Sequence, residues 1–162
     1  MHKLVFYIVL ASMVMLPGQV LAAPTSFPHV IGNALLCLDQ VDSTYFKKYL
    51  TDNFQTPYKI EGGAYWFKID SFLYGGKITE IFINTESSEY VFLGAVMEGP
   101  QDSLKIKIEE LTGIKFFQDQ NIETLRSPPG SFLIPYGSGK SKIFCVKRRI
   151  YGMSTNNKMR IT

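Results

Sequence analysis

This chain has few of the side chains on which most enzyme chemistry is built. Of its two histidines only His29 lies beyond residue 22, and it ends a lead-in from Ala23 that contains Pro24 and Pro28. A nucleophile–histidine–carboxylate arrangement therefore has little to organise it, and His29 reads as a partly exposed structural residue. Neither Gly-x-Ser-x-Gly nor Ser-x-x-Lys occurs between residues 23 and 162. A bound metal needs several ligands at suitable spacing, and one histidine with scattered carboxylates does not supply them. No metal or cofactor is expected.

Charge of one sign is also scarce. The chain carries 17 Lys+Arg against 14 Asp+Glu. Much of the small excess lies at the C-terminal end, in Lys147, Arg148, Arg149, Lys158 and Arg160. A nearly neutral body gives no electrostatic footprint for a polyanion, so nucleic acid is not an expected partner. Low-complexity tracts and internal repeats are missing as well.

Only one long apolar run is present, at the start. Lys3 precedes Leu4 to Leu16, a stretch interrupted only by Ser12; Pro17-Gly18 then break it, and Val20-Leu21-Ala22 follow. A positive start, an apolar centre and small residues before a cut describe a secretory signal, with cleavage expected after Ala22. The run of roughly 13 residues falls short of the about 20 that a spanning helix requires. The expectation is a cleaved leader over 1–22, one α+β domain over 23–149 and a flexible basic tail over 150–162, soluble in the periplasm or outside the cell. The 140 residues left after cleavage are enough for one buried core.

Cys37 and Cys145 are the only cysteines. In an oxidising compartment an even count without Cys-x-x-Cys points to a structural disulfide. It would tie the first helical segment to the last strand and close a loop of about 110 residues, a constraint of roughly 4–5 kcal/mol on the chain-entropy model.

Periodicity sets the order of elements. Val30 to Leu38 reads as a short helix with Cys37 on its buried side. Asp42 or Ser43 caps a second helix with Tyr45, Phe46, Tyr49 and Leu50 on one face, and Pro57 bounds it. Ala64 to Ile69 and Lys77 to Thr85 form strands around a Gly75-Gly76 turn, and Tyr90 to Met97, apolar on both faces, takes a central place. Asp102 or Ser103 opens a third helix lined by Leu104, Ile108 and Leu111 and closed by Gly113. Ile114 to Phe117 reads as a short strand, and Ser131–Tyr136 with Lys142–Val146 form a closing hairpin around Gly137-Ser138-Gly139. The fold expected is α+β: an antiparallel sheet of about five strands with two or three helices on one face.

Three patterns invite a functional reading. Gly137-Ser138-Gly139-Lys140-Ser141 resembles the end of a phosphate loop, but Ile134 stands where that motif needs glycine and a strand follows where it needs a helix, so it reads as a hairpin tip. Glu61, Asp70, Glu80 and Glu98 lie on or beside strands, where two of them could act as a glycosidase-type pair. The string Glu61-Gly62-Gly63-Ala64-Tyr65-Trp66-Phe67-Lys68 is the most distinctive, and Tyr65, Trp66, Phe67 and Lys68 are the candidate binding residues because aromatics concentrate at interaction hot spots. The structural alternative puts Trp66 between sheet and helix, as a large core aromatic. The reading preferred is an exported noncatalytic binding protein, of inhibitor or immunity type, for another extracytoplasmic protein. The alternatives are a cell-wall hydrolase using paired carboxylates and an accessory subunit of an envelope assembly.

Overall fold

Two short turns start the sheet. The computed structural model describes residues 23–118 and 123–149; the leader over 1–22 and the tail over 150–162 lie outside them. Strand β1 (Lys59–Glu61) turns into β2 (Ala64–Leu73) through Gly62 and Gly63. Both glycines have positive φ, 60° and 72°, the requirement of a two-residue hairpin whose twist matches its strands. Strand β3 (Gly76–Asn84) follows a second two-residue turn. There Tyr74 and Gly75, not the expected Gly75-Gly76, carry the positive φ values. The Tyr74 hydroxyl donates to the Gly32 carbonyl at 2.7 Å, which ties this turn to the first helix.

Strand β4 (Tyr90–Glu98) completes a meander, and the chain then leaves through α3 (Gln101–Thr112) before returning as β5 (Phe117–Gln118), β6 (Leu125–Arg126), β7 (Ser131–Pro135) and β8 (Lys140–Arg148). The long last strand pairs with β4, so the sheet order is β1-β2-β3-β4-β8-β7-β6-β5, every pairing antiparallel. The sheet thus has eight strands instead of about five. The additional strands, β1, β5 and β6, are two or three residues long, too short to show alternation; of the short strand expected over Ile114 to Phe117, only Phe117 lies in β5.

Among the described residues, three helices cover one face. Helix α1 (Phe27–Leu35) starts three residues before its expected position and ends before Cys37. Helix α2 (Ser43–Asn53) is capped by Asp42, whose carboxylate accepts the Tyr45 N–H at 2.9 Å, meeting one otherwise unpaired first-turn donor. Helix α3 closes on Gly113 in the left-handed region. Phe27, Ile31 and Leu35 of α1, Phe46 and Leu50 of α2, and Leu104 and Ile108 of α3 share one buried cluster with Phe67, Ile81, Leu93, Ala95, Leu133 and Ile143 of the sheet. Leu111, expected on the packed face of α3, is instead exposed.

Cys37 and Cys145 form a disulfide with a Cα–Cα distance of 5.2 Å. It links the turn after α1 to β8, as the cysteine count implied. Among the described residues no helix is long and apolar enough to cross a membrane.

Candidate binding face

The sheet face opposite α1, α2 and α3, which carries no helix among the described residues, is the unusual surface. In an antiparallel sheet, residues directly opposite on neighbouring strands project to the same side. Following the register across all eight strands gives one row: Lys59, Trp66, Phe82, Gly94, Phe144, Phe132, Arg126 and Phe117. Five of these eight positions are aromatic, and none belongs to the helix-side core. A second apolar cluster is built here, from Ala64, Trp66, Phe82 and Val96 with Phe92 and Phe144 packed against it.

Gly94 makes the row possible. A Cβ at this position would stand 2.1 Å from Cζ of Phe82, well inside the roughly 3.5–4.0 Å of a carbon–carbon contact. The Phe82 ring therefore lies over the bare backbone of β4. It packs against Trp66, ring centres 4.8 Å apart, and approaches Phe92 at 6.2 Å. Phe132 and Phe144 stack at 5.3 Å farther along. Asn84, almost wholly buried, holds the upper end of this arrangement. Its side-chain carbonyl accepts the Phe92 N–H at 3.0 Å and its amide donates to the Thr85 carbonyl.

Cations cover the rings. Lys59 lies 4.5 Å from the Trp66 ring centre, Arg126 5.3 Å from that of Phe132, and Lys142 3.7 Å from that of Tyr136. Each such contact joins a charge to the negative face of a ring. Lys59 and Glu61 are paired at 2.8 Å, and this hydrogen bond holds the Glu61 carboxyl below its ordinary range. Tyr58 donates to Glu80 at 2.5 Å; burial first, then that bond, raises its phenol. Half-buried Lys142 is shifted the other way, because desolvation disfavours its ammonium.

The candidate residues divide between the two faces. Trp66 is buried, 8% exposed, yet it faces away from the helices and not between sheet and helix. Its Nε1 donates to the Glu61 carbonyl. Lys68 projects from the same side, one row along, opposite Glu80. Phe67 belongs to the helix-side core at 1% exposure. Tyr65 also faces the helices: its hydroxyl donates to Glu86 at 2.6 Å and Lys47 of α2 lies 3.9 Å over its ring. The strand's alternation separates the four residues that the sequence places side by side.

Three of the four carboxylates have another partner: Glu61 pairs with Lys59, Glu80 accepts from Tyr58 and Asp70 pairs with Lys77 at 3.1 Å. Glu98 stands opposite Lys140 in the strand register. Phe82, Phe92, Phe132, Phe144 and Lys142 were not singled out in the sequence as site residues. The signal for them is a shared strand parity, visible only once the register between distant strands is fixed. Comparison with protein-family models, with characterised proteins and with solved structures finds no match for this chain.

Proposed function

We propose that this chain is an exported, noncatalytic binding protein whose partner, another extracytoplasmic protein, docks on the helix-free face of the sheet. The observation that carries this reading is the cross-strand aromatic row, with its cations, on a face that no helix among the described residues covers. Aromatic and arginine side chains supply most of the energy in protein interfaces. Strands β2, β3, β4, β8 and β7 together offer a surface about 19 Å across and about 30 Å along, from standard strand spacing and rise. That is roughly 600 Å², close to the about 800 Å² that each partner contributes to a standard interface. A sheet fixed by long pairings and a disulfide loses little freedom on docking, which favours affinity. The leader and the disulfide support the extracytoplasmic setting. An inhibitor or immunity-type role follows from the same reading: the protein acts by occupying a surface on its partner.

The test is site-specific photocrosslinking in the producing cell, with a benzophenone amino acid at Phe132 on the open face or at Ile106 on the exposed side of α3. A discrete crosslinked protein from position 132 and none from 106 is the expected result. Crosslinks from 106 alone would refute the docking face.

A further inference from the structure

A recess on the open face, over β3, β4, β8 and β7, has a chemical character of its own. It encloses about 280 Å³ and is lined by Phe82, Phe92, Ile134, Phe144 and Val146, with Lys142 as its only charged residue. Lys142 approaches the rings of Tyr136, Trp66 and Phe82 at 3.7, 5.2 and 5.5 Å. Among the described residues its ammonium makes ring contacts but no ion pair or hydrogen bond. The nearby carboxylates are engaged elsewhere, Glu61 by Lys59 and Glu80 by Tyr58. Lys142 thus presents three N–H donors, partly removed from water, at the rim of an apolar hollow.

Size selects the occupant. Pockets that engulf a drug-sized molecule span about 300–1,000 Å³. This recess falls just below that range and is open, which suits an anchoring side chain of a protein better than a whole ligand. Charge selects the neighbour of that anchor: an acceptor carrying negative charge satisfies Lys142, whereas a neutral or basic group leaves its donors unpaired on docking.

Resting on the docking reading above, we propose that the partner protein places an apolar side chain in this recess and an adjacent carboxylate on Lys142. The face thereby selects acidic–apolar segments over neutral ones of the same shape.

The probes are two short peptides, acetyl-Phe-Glu-amide and acetyl-Phe-Gln-amide, with dodecanoate as a third. Each is titrated into methyl-labelled mature protein, and the methyl resonances of Ile134 and Val146 are followed against Leu104 as a buried control. Ile134 and Val146 are expected to shift saturably with the Glu peptide, and about tenfold more weakly with the Gln peptide, the usual scale of a charge-assisted hydrogen bond. Lys142→Met keeps the aliphatic stem over the rings and is expected to erase the difference between the peptides; Lys142→Arg is expected to retain it. Equal binding of both peptides to the native protein overturns the proposal. So does dodecanoate binding at the same methyls a hundredfold more tightly than the Glu peptide, which would make the recess an acyl-chain site. If the peptides show no preference while position 132 still crosslinks a protein, the docking face stands and the carboxylate assignment alone fails.

Discussion

Replacing Gly94 by alanine is a small change with a sharply located consequence. Three ring atoms of Phe82 would lie 2.1, 2.4 and 2.7 Å from the new methyl, so the ring has to move by about 1 Å or more to reach ordinary contact. It has little room, because Trp66 lies on one side and Phe92 on another. Forced repacking of this kind costs about 1–3 kcal/mol. Alanine also restricts the unfolded chain, which returns about 0.4–1 kcal/mol, since the φ of Gly94 is not positive. The net expectation is destabilisation by about 1–2 kcal/mol. In a Phe82→Ala background the obstruction is gone, and the same substitution is expected to be neutral or mildly stabilising. Urea unfolding of the four oxidised proteins measures this cycle. Trp66 is the only tryptophan, so its fluorescence reports the displaced ring directly. A neutral Gly94→Ala in the native background, or an equal penalty with and without Phe82, would refute the packing described for the open face.

Two further perturbations test the frame behind that face. Replacing Cys37 and Cys145 together by alanine opens a closure with a sequence separation of 108, and a loss of roughly 4–5 kcal/mol is expected from loop entropy; denaturant midpoints of the two proteins measure it, and a loss under about 1 kcal/mol contradicts it. Glu86, in the turn after β3, joins β2 to α2: the Tyr65 hydroxyl, followed by its own backbone and Lys47, lowers its carboxyl to about 2 from 4.5. Because the native state holds this carboxyl ionised where the unfolded chain protonates it, the contribution is complete above about pH 4.5 and fades as pH falls toward 2. Glu86→Gln is expected to flatten the pH dependence of stability across that window, as followed by urea midpoints from pH 5 to 2; an unchanged slope would count against the pairing.

Much of the framework is legible in the residues themselves. Asp42 and Gly113 mark helix ends through local rules, and the structure follows them; of the stripe Tyr45, Phe46, Tyr49 and Leu50, Phe46 and Leu50 are buried whereas Tyr45 is exposed. The paired cysteines are equally plain, because two thiols permit one intramolecular bond. The short strands are not, since Lys59–Glu61 and Leu125–Arg126 acquire their pairing from neighbours and carry too few residues to alternate. Nor is the open face. Tyr65-Trp66-Phe67-Lys68 looks like one patch in a string, yet a strand sends adjacent side chains to opposite sides. The residues that accompany Trp66 lie on β3, β4, β7 and β8, some of them about 80 residues away in sequence (Trp66 to Phe144). Their union depends on β8 returning to pair with β4, a long-range register that no local pattern specifies.

The central claim is that the aromatic sheet face, and not the helical layer, meets the partner. Its most direct measurement is the affinity of the purified protein for its crosslink-identified partner, compared between Phe132→Glu on the open face and Ile106→Glu on α3, with both variants confirmed as folded by near-ultraviolet circular dichroism. Weakening by about thirtyfold or more at position 132, the scale of a hot-spot residue, with little change at 106 is expected; the opposite ranking would contradict the assignment of the face.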